Sequence, residues 1–162
     1  VATLQPHIVM LYEVLEHQIC PETLLLNCHD IMADNGLLVV VVPNDYNPLQ
    51  FAACAQHALL PYWLAPPQHL WYFTPKCLQL LLRRCGFDIL DLRGTFPLEK
   101  FLLQDYNYIG NDRVGRLVHT WRMEDELRIV QHGIWPQREQ EYRVNIMQRI
   151  GREIVAIARK RP

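Results

Sequence analysis

The spacing of apolar positions changes several times along the chain, and each change marks an element. Residues 7–12 (HIVMLY) form a short β-branched run, followed at once by the acidic EVLEH. That pattern predicts a buried strand ending in a polar loop. Pro21 then opens a stretch in which Leu24, Leu25, Cys28, Ile31 and Met32 recur at helical spacing, with Asn35-Gly36 as its stop. Residues 37–42 (LLVVVV) show no alternation, which fits a strand covered on both faces, as in parallel sheets. Strand, helix and strand within about thirty residues make a βαβ unit with a right-handed crossover.

Pro43-Asn44-Asp45 marks the exit of that second strand, and an Ala-rich helical piece over residues 48–60 leads into a proline-rich loop at 61–67. Thr74-Pro75 is a helix start, because Thr can cap and Pro suits the first helical position. The helix it opens carries Leu78, Leu81, Leu82 and Cys85 on one stripe and ends at Gly86. Residues 87–92 (FDILDL) alternate as a strand should. Residues 98–148 carry helical patterns broken at Gly110, Gly115 and Gly133, and residues 153–158 (EIVAIA) read as a last strand. The expectation is one α/β domain over residues 1–162 with four strands and a helical insertion before the last.

Composition narrows the class. The chain has 162 residues, half of them hydrophobic and a fifth charged, as in an ordinary globular domain. Its longest aliphatic run is far short of the ~20 residues a membrane helix needs. The net charge of −1 argues against bulk binding to nucleic acid, yet it hides an asymmetry. Residues 1–112 carry five basic and eleven acidic side chains (−6), whereas residues 113–162 carry eleven basic and six acidic (+5). Five cysteines without a C-x-x-C pair suggest neither a disulfide scaffold nor a zinc site. Cys28, Cys77 and Cys85 are placed on apolar helical faces as small hydrophobes. With no signal segment before the first strand, a reducing cytoplasm is the expected compartment.

EVLEH after a strand, DNGLLVVVVPN, HLWYFTP opening a helix, RRCGFDILDL and the closing REIVAIARK together resemble the second half of a class I S-adenosylmethionine-dependent methyltransferase. The resemblance implies a partial Rossmann-like sheet made of the family's strands four to seven, the seventh antiparallel and slotted between the fifth and sixth. Residues 98–150 would be the family's variable helical insertion, a lid over the acceptor. The glycine-rich strand and loop that approaches the cofactor in this family has no counterpart ahead of EVLEH; the first glycine is Gly36. The resemblance therefore implies a carboxyl-terminal portion cut at Val1, weak or inactive alone, with an open edge on its first strand. A missing N-terminal half or a second copy would cover that edge. The rival reading is a non-catalytic α/β remnant or interaction module that persists through the same edge.

The resemblance also assigns residues. Glu13, Val14, Leu15 and His17 would lie beside the methionine end of S-adenosylmethionine, and His17 and His69 are the candidate bases at the transfer site. Glu13, Glu16, His17 and His69 match the ExxEH arrangement of metal-dependent O-methyltransferases, where two carboxylates and two imidazoles suit a divalent cation. The plainer alternative is that Glu16 and His17 serve the first turn of the next helix. Asn44, Asp45 and Tyr46 follow the second strand at the carboxyl end, where open α/β sheets bind ligands. With His69, Trp71 and Tyr72 they could shape a pocket for a small-molecule acceptor, or serve only as turn and core residues. Arg113, Arg116 and Arg122 are candidates for holding an anionic acceptor, with surface pairing to Asp112 and Glu124 as the alternative.

Overall fold

The computed structural model describes residues 5–162. Val1, on which the expected truncation rests, lies outside the described residues.

Four strands form one sheet: β1 (Ile8–Tyr12), β2 (Leu37–Pro43), β3 (Phe87–Gly94) and β4 (Glu153–Lys160), in spatial order β1-β2-β4-β3. β1 and β2 run parallel, and β4 is antiparallel to both β2 and β3. The last strand is thus inserted between the second and third, the arrangement the resemblance implied. Six helices accompany the sheet: α1 (Pro21–Ile31), α2 (Pro48–His57), α3 (Pro75–Arg84), α4 (Glu99–Leu102), α5 (Asp112–Gln131) and α6 (Trp135–Met147).

One face of the sheet carries the core. Leu38, Val40 and Val42 of β2 and Ile154, Ala156 and Ala158 of β4 are fully buried with Leu25 and Cys28 of α1 and Leu78 and Leu82 of α3. Ala158 lies opposite Leu38 and Ala156 opposite Val40, so small pairs with large across the ladder. The expectation that β2 is covered equally on both faces is corrected: Leu37 and Val39 are half-buried while their neighbours are sealed. Cover on that second face is uneven along the strand, since Val41 is buried there. On β1 the same alternation leaves Ile8, Met10 and Tyr12 more than half exposed. Among the described residues β1 pairs only with β2, leaving its outer edge open.

Local chemistry sets the ends of the helices. Asn47 caps α2 in a reciprocal box, its side chain accepting from the Gln50 N–H while Gln50 Oε1 accepts from the Asn47 N–H. Thr74 caps α3 by accepting from Cys77 N–H, as its sequence position predicted. Gly110 and Gly133 do interrupt helices, at φ of 69° and 70°. Gly115 does not; it sits within the first turn or so of α5, where the flanking residues carry the helix through. Cys77 is exposed rather than on the apolar stripe, because it falls one position before Leu78. The close approach of Gly94 and Gly151, where a Cβ on Gly151 would meet the Gly94 Cα at 3.1 Å, lets the end of β3 cross the turn before β4. That turn delivers Arg152 and Glu153 to the sheet's carboxyl end. No helix among the described residues is long and apolar enough to cross a membrane.

Candidate functional site

The carboxyl ends of β1 and β2 open into a cavity of about 370 Å³. Its walls come from distant segments: Glu13, Glu16 and His17 after β1, Asp45 and Gln50 around the start of α2, and Tyr62, Trp63 and His69 from the long loop before α3. Glu99 of α4, Tyr108, and Arg152 with Glu153 at the start of β4 complete them.

Two loops are stitched together to make one end. After β1 the chain turns at Glu13, with φ 51°, while its N–H donates to Val41 O at 2.9 Å. A single 3-10 turn over Leu15–His17 follows. The Glu16 carbonyl accepts from both Leu70 N–H and Trp71 N–H, and Trp71 Nε1 donates to Gln18 O at 2.8 Å. His17 Nδ1 lies 2.7 Å from Gln68 O. A carbonyl can only accept, so Nδ1 carries the proton there and the neutral ring presents its lone pair at Nε2. That nitrogen is 3.6 Å from Glu16 Oε1. The same stitching sets His69 edge-on to His17, with ring centroids 4.9 Å apart.

Glu16, His17 and His69 thus bring one ligand-type atom each within 4.8 Å of one another. The Glu16 carboxylate is buried, with neither oxygen hydrogen-bonded, and His69 Nδ1 is also buried and unpartnered. One carboxylate and two imidazoles, the first ring already oriented by a backbone carbonyl, suit a divalent cation of the Mn–Zn series. Glu13 does not join this set, a correction to the four-residue expectation. Its left-handed backbone follows directly from closing the β1–β2 ladder and leaves its side chain on the exposed rim.

Burial governs the electrostatics. It pushes the Glu16 carboxyl above the ordinary range, with His17 and His69 opposing the shift. It raises Asp45 against the hydrogen bond from Gln50 Nε2 at 3.2 Å, and Glu99 against the charge of Arg152. Glu153 is raised for the same reason. Nine buried side-chain nitrogen and oxygen atoms lack a hydrogen-bond partner among the described residues. Six of them belong to cavity residues: both oxygens of Glu16, Tyr62 OH, Trp63 Nε1, His69 Nδ1 and Glu99 Oε2. Buried polar atoms are rarely left unpaired, so their concentration here makes this cavity the candidate ligand site.

Other expected site residues fall elsewhere. Leu15 is sealed in the core and Val14 packs against it, so neither side chain faces the cavity. Asn44 is fully buried, and its amide donates to Arg149 O and Gly151 O at 2.9 Å each, holding the turn before β4. It is therefore a structural residue, since both amide hydrogens are committed to backbone. Tyr46 and Tyr72 stack edge-to-face at 5.7 Å on the outside of the Trp63 ring system, and Tyr72 OH accepts from Ala65 N–H. They support the wall rather than form it. Arg113 and Arg116 line a separate groove on α5, a full helix away along the chain from Glu99. Arg122 pairs with Glu126 one turn on, and Glu124 with Arg128. Of the expected lid, only Glu99, Tyr108 and Ile109 reach the cavity. Tyr62, Trp63, Glu99 and the Arg152-Glu153 pair were not anticipated. A signal did exist for the last, because Glu153 opens the last predicted strand and Arg152 directly precedes it.

Residues 2–92 match the family described as Methyltransferase domain. The chain is similar to the ubiquinone biosynthesis O-methyltransferase of Cereibacter sphaeroides, 33% identical over 90 residues, covering 54% of this chain and 36% of that protein. It is equally similar to the protein of that name from Roseobacter denitrificans, 33% identical over 92 residues with the same coverage. The matched segment spans about a third of the length of these curated relatives. Among solved structures it resembles a SAM-dependent methyltransferase from Archaeoglobus fulgidus at a TM-score of 0.49 and 18% identity, covering 96% of this chain and 60% of that one. The [4+2]-cyclase SpnF aligns at a TM-score of 0.46 and 15% identity, covering 99% and 53%.

Proposed function

This chain belongs to the methyltransferase-domain family, and on that premise we propose that it forms the acceptor-side part of an S-adenosylmethionine-dependent methyltransferase acting on a hydroxyl of a small molecule. The observation that carries the reading is the preassembled Glu16–His17–His69 cluster, whose unpartnered buried atoms open into the cavity at the sheet's carboxyl end. The name shared by the curated relatives, an O-methyltransferase, supports oxygen as the atom methylated.

The bound donor supplies a sulfonium methyl, an electrophile that needs a deprotonated acceptor in line with the breaking bond. Glu13 at the rim and Glu16 within present negative charge to that sulfonium. His17 Nε2, its lone pair fixed by the Nδ1 bond to Gln68, takes the hydroxyl proton as the carbon–oxygen bond forms and the bonding pair of the carbon–sulfur bond stays on sulfur. His69 and Glu16 stabilise the imidazolium. Glu16, His17 and His69 would instead hold a divalent cation if one is used, which would lower the hydroxyl's pKa as a Lewis acid. Tyr108 and Ile109 close over the cavity and exclude water. The open edge of β1, with Ile8, Met10 and Tyr12 exposed beside it, supports a partner there: a second copy or a further polypeptide segment.

The test is transfer of labelled methyl from millimolar S-adenosylmethionine to a panel of phenols and alcohols. Transfer that His17→Ala removes supports the reading. No transfer under any condition, with or without divalent cations, overturns it in favour of a non-catalytic module. Activity that survives a chelator assigns His17 as the base; activity lost to the chelator and restored by Mn²⁺ assigns the cluster to a metal.

A further inference from the structure

The cavity holds more negative charge than methyl transfer to a neutral hydroxyl requires. Five carboxylates line it against one guanidinium, and Arg152 already lies 4.0 Å from the Glu153 carboxylate. Among the described residues Glu99 forms no ion pair; it is buried to 3% exposure and leaves Oε2 without a hydrogen bond while lining the cavity. It stands outside the Glu16–His17–His69 cluster. A buried carboxylate with no cation in direct contact is costly, and it persists where a ligand supplies the missing positive charge.

The surroundings specify what kind of cation. Tyr62 and Trp63 present an edge-to-face pair with centroids 5.3 Å apart, and both line the cavity with Glu99 and Tyr108. Burial, with the charge of Glu99 adding to it, raises both Tyr62 and Tyr108, so those phenols stay neutral beside the carboxylate. A metal ion seeks several oxygen ligands. Glu99, set beside the rings of Tyr62, Trp63 and Tyr108, instead suits an organic ammonium, which is drawn to aromatic rings and needs few hydrogen bonds.

We propose that Glu99, with the walls of Tyr62, Trp63 and Tyr108, is a recognition site for an organic ammonium group on the acceptor. This rests on the acceptor reading of the cavity and deepens it: the substrate class is a hydroxylated amine, its cation anchored by Glu99 while its hydroxyl meets His17 and His69. The unpartnered Tyr62 OH and Trp63 Nε1–H are left to a polar oxygen of the same molecule.

The experiment titrates the full chain with choline and with its uncharged carbon isostere 3,3-dimethylbutan-1-ol, following tryptophan fluorescence, with Trp63→Phe as the control that assigns the signal, and thermal stability, with no methyl donor present. Choline is expected to saturate the signal and raise the melting temperature, with the isostere binding at least tenfold more weakly. Glu99→Gln, which keeps shape and removes charge, should weaken choline about ten- to hundredfold. Tyr108→Ala should weaken it about tenfold by removing one ring face. Equal binding of choline and the isostere, or choline binding undiminished in both variants, overturns the proposal. Because no donor is present, such a failure leaves the methyltransferase reading intact. Choline binding without methyl transfer to any acceptor would overturn that reading instead and leave the ammonium site standing.

Discussion

The cavity and the contact between β3 and α6 use the same residue types in opposite ways. On β3, Asp91 receives Arg143 Nε at 2.7 Å and a second nitrogen at 3.3 Å, and lies 3.5 Å from Arg93, which also binds Glu139. Every acid there has a base, and the network fastens α6 to the sheet. In the cavity Glu16 lies beside His17 and His69, Asp45 beside Gln50 and His69, and Glu99 beside the phenols of Tyr62 and Tyr108, with Arg152 paired to Glu153 and acting on Asp45 and Glu99 only at longer range. Charge neutralised inside the protein is structural. Charge left to be neutralised from outside is what a binding site requires.

If the difference is functional, the largest effect falls on catalysis at the cavity. His17→Ala should lower methyl transfer by about 10²–10⁴-fold, the range typical for a lost acid–base group. Its thermal melt should change little, because the ring is exposed and loses one hydrogen bond. A matching loss of stability would mean that the ring mainly holds the loop at Gln68.

Breaking the β3–α6 network should do the reverse. Arg93→Met leaves Asp91 and Glu139 facing each other and should cost about 1–2 kcal/mol in urea unfolding, a figure reduced because all three groups are partly exposed. Methyl transfer at saturating substrate should be unchanged below the melting transition. A drop in transfer with normal stability would contradict the separation of the two regions.

A smaller effect separates them by pH. Burial raises Glu16, Asp45 and Glu99 in the folded protein, so the folded state binds more protons than the unfolded chain between the ordinary carboxylate range, about 4 to 4.5, and the raised values. Stability from these groups is therefore present at the acidic side of that window and lost as pH rises through it. Urea unfolding should show stability falling as pH rises above the ordinary carboxylate range. Glu99→Gln should flatten that dependence and raise stability at the alkaline side of the window by roughly 1 kcal/mol, since it removes a buried charge. Unchanged pH dependence in Glu99→Gln would show that Glu99 already has a partner in the folded chain.

Much of the fold was legible in the residues because its elements are locally consistent. LLVVVV and EIVAIA are too apolar to lie anywhere but in a sheet, and Thr74-Pro75 fixes the start of α3 by its own chemistry. The placement of β4 between β2 and β3 came from the family resemblance rather than from periodicity. The site was legible only where it is contiguous. Glu16 and His17 are neighbours in sequence, and His69 joins them through backbone bonds from Glu16 to Leu70 and Trp71. Glu99 was missed because in sequence it is one acid at the start of a four-residue helix, and only tertiary packing turns it toward Tyr62 and Asp45. Asn44 was misassigned for the converse reason. Its amide nitrogen, conspicuous after a strand, is committed to carbonyls more than a hundred positions away.

The most direct test of the central claim is an amide chemical-shift map of the chain titrated with S-adenosylhomocysteine. The account predicts progressive shifts at Glu13, Glu16, His17, Asp45 and His69, with Asp88, Asp91, Arg93 and Arg143 unmoved. Shifts confined to β3 and α6, or none at ten millimolar ligand at most of the cavity residues, would contradict it.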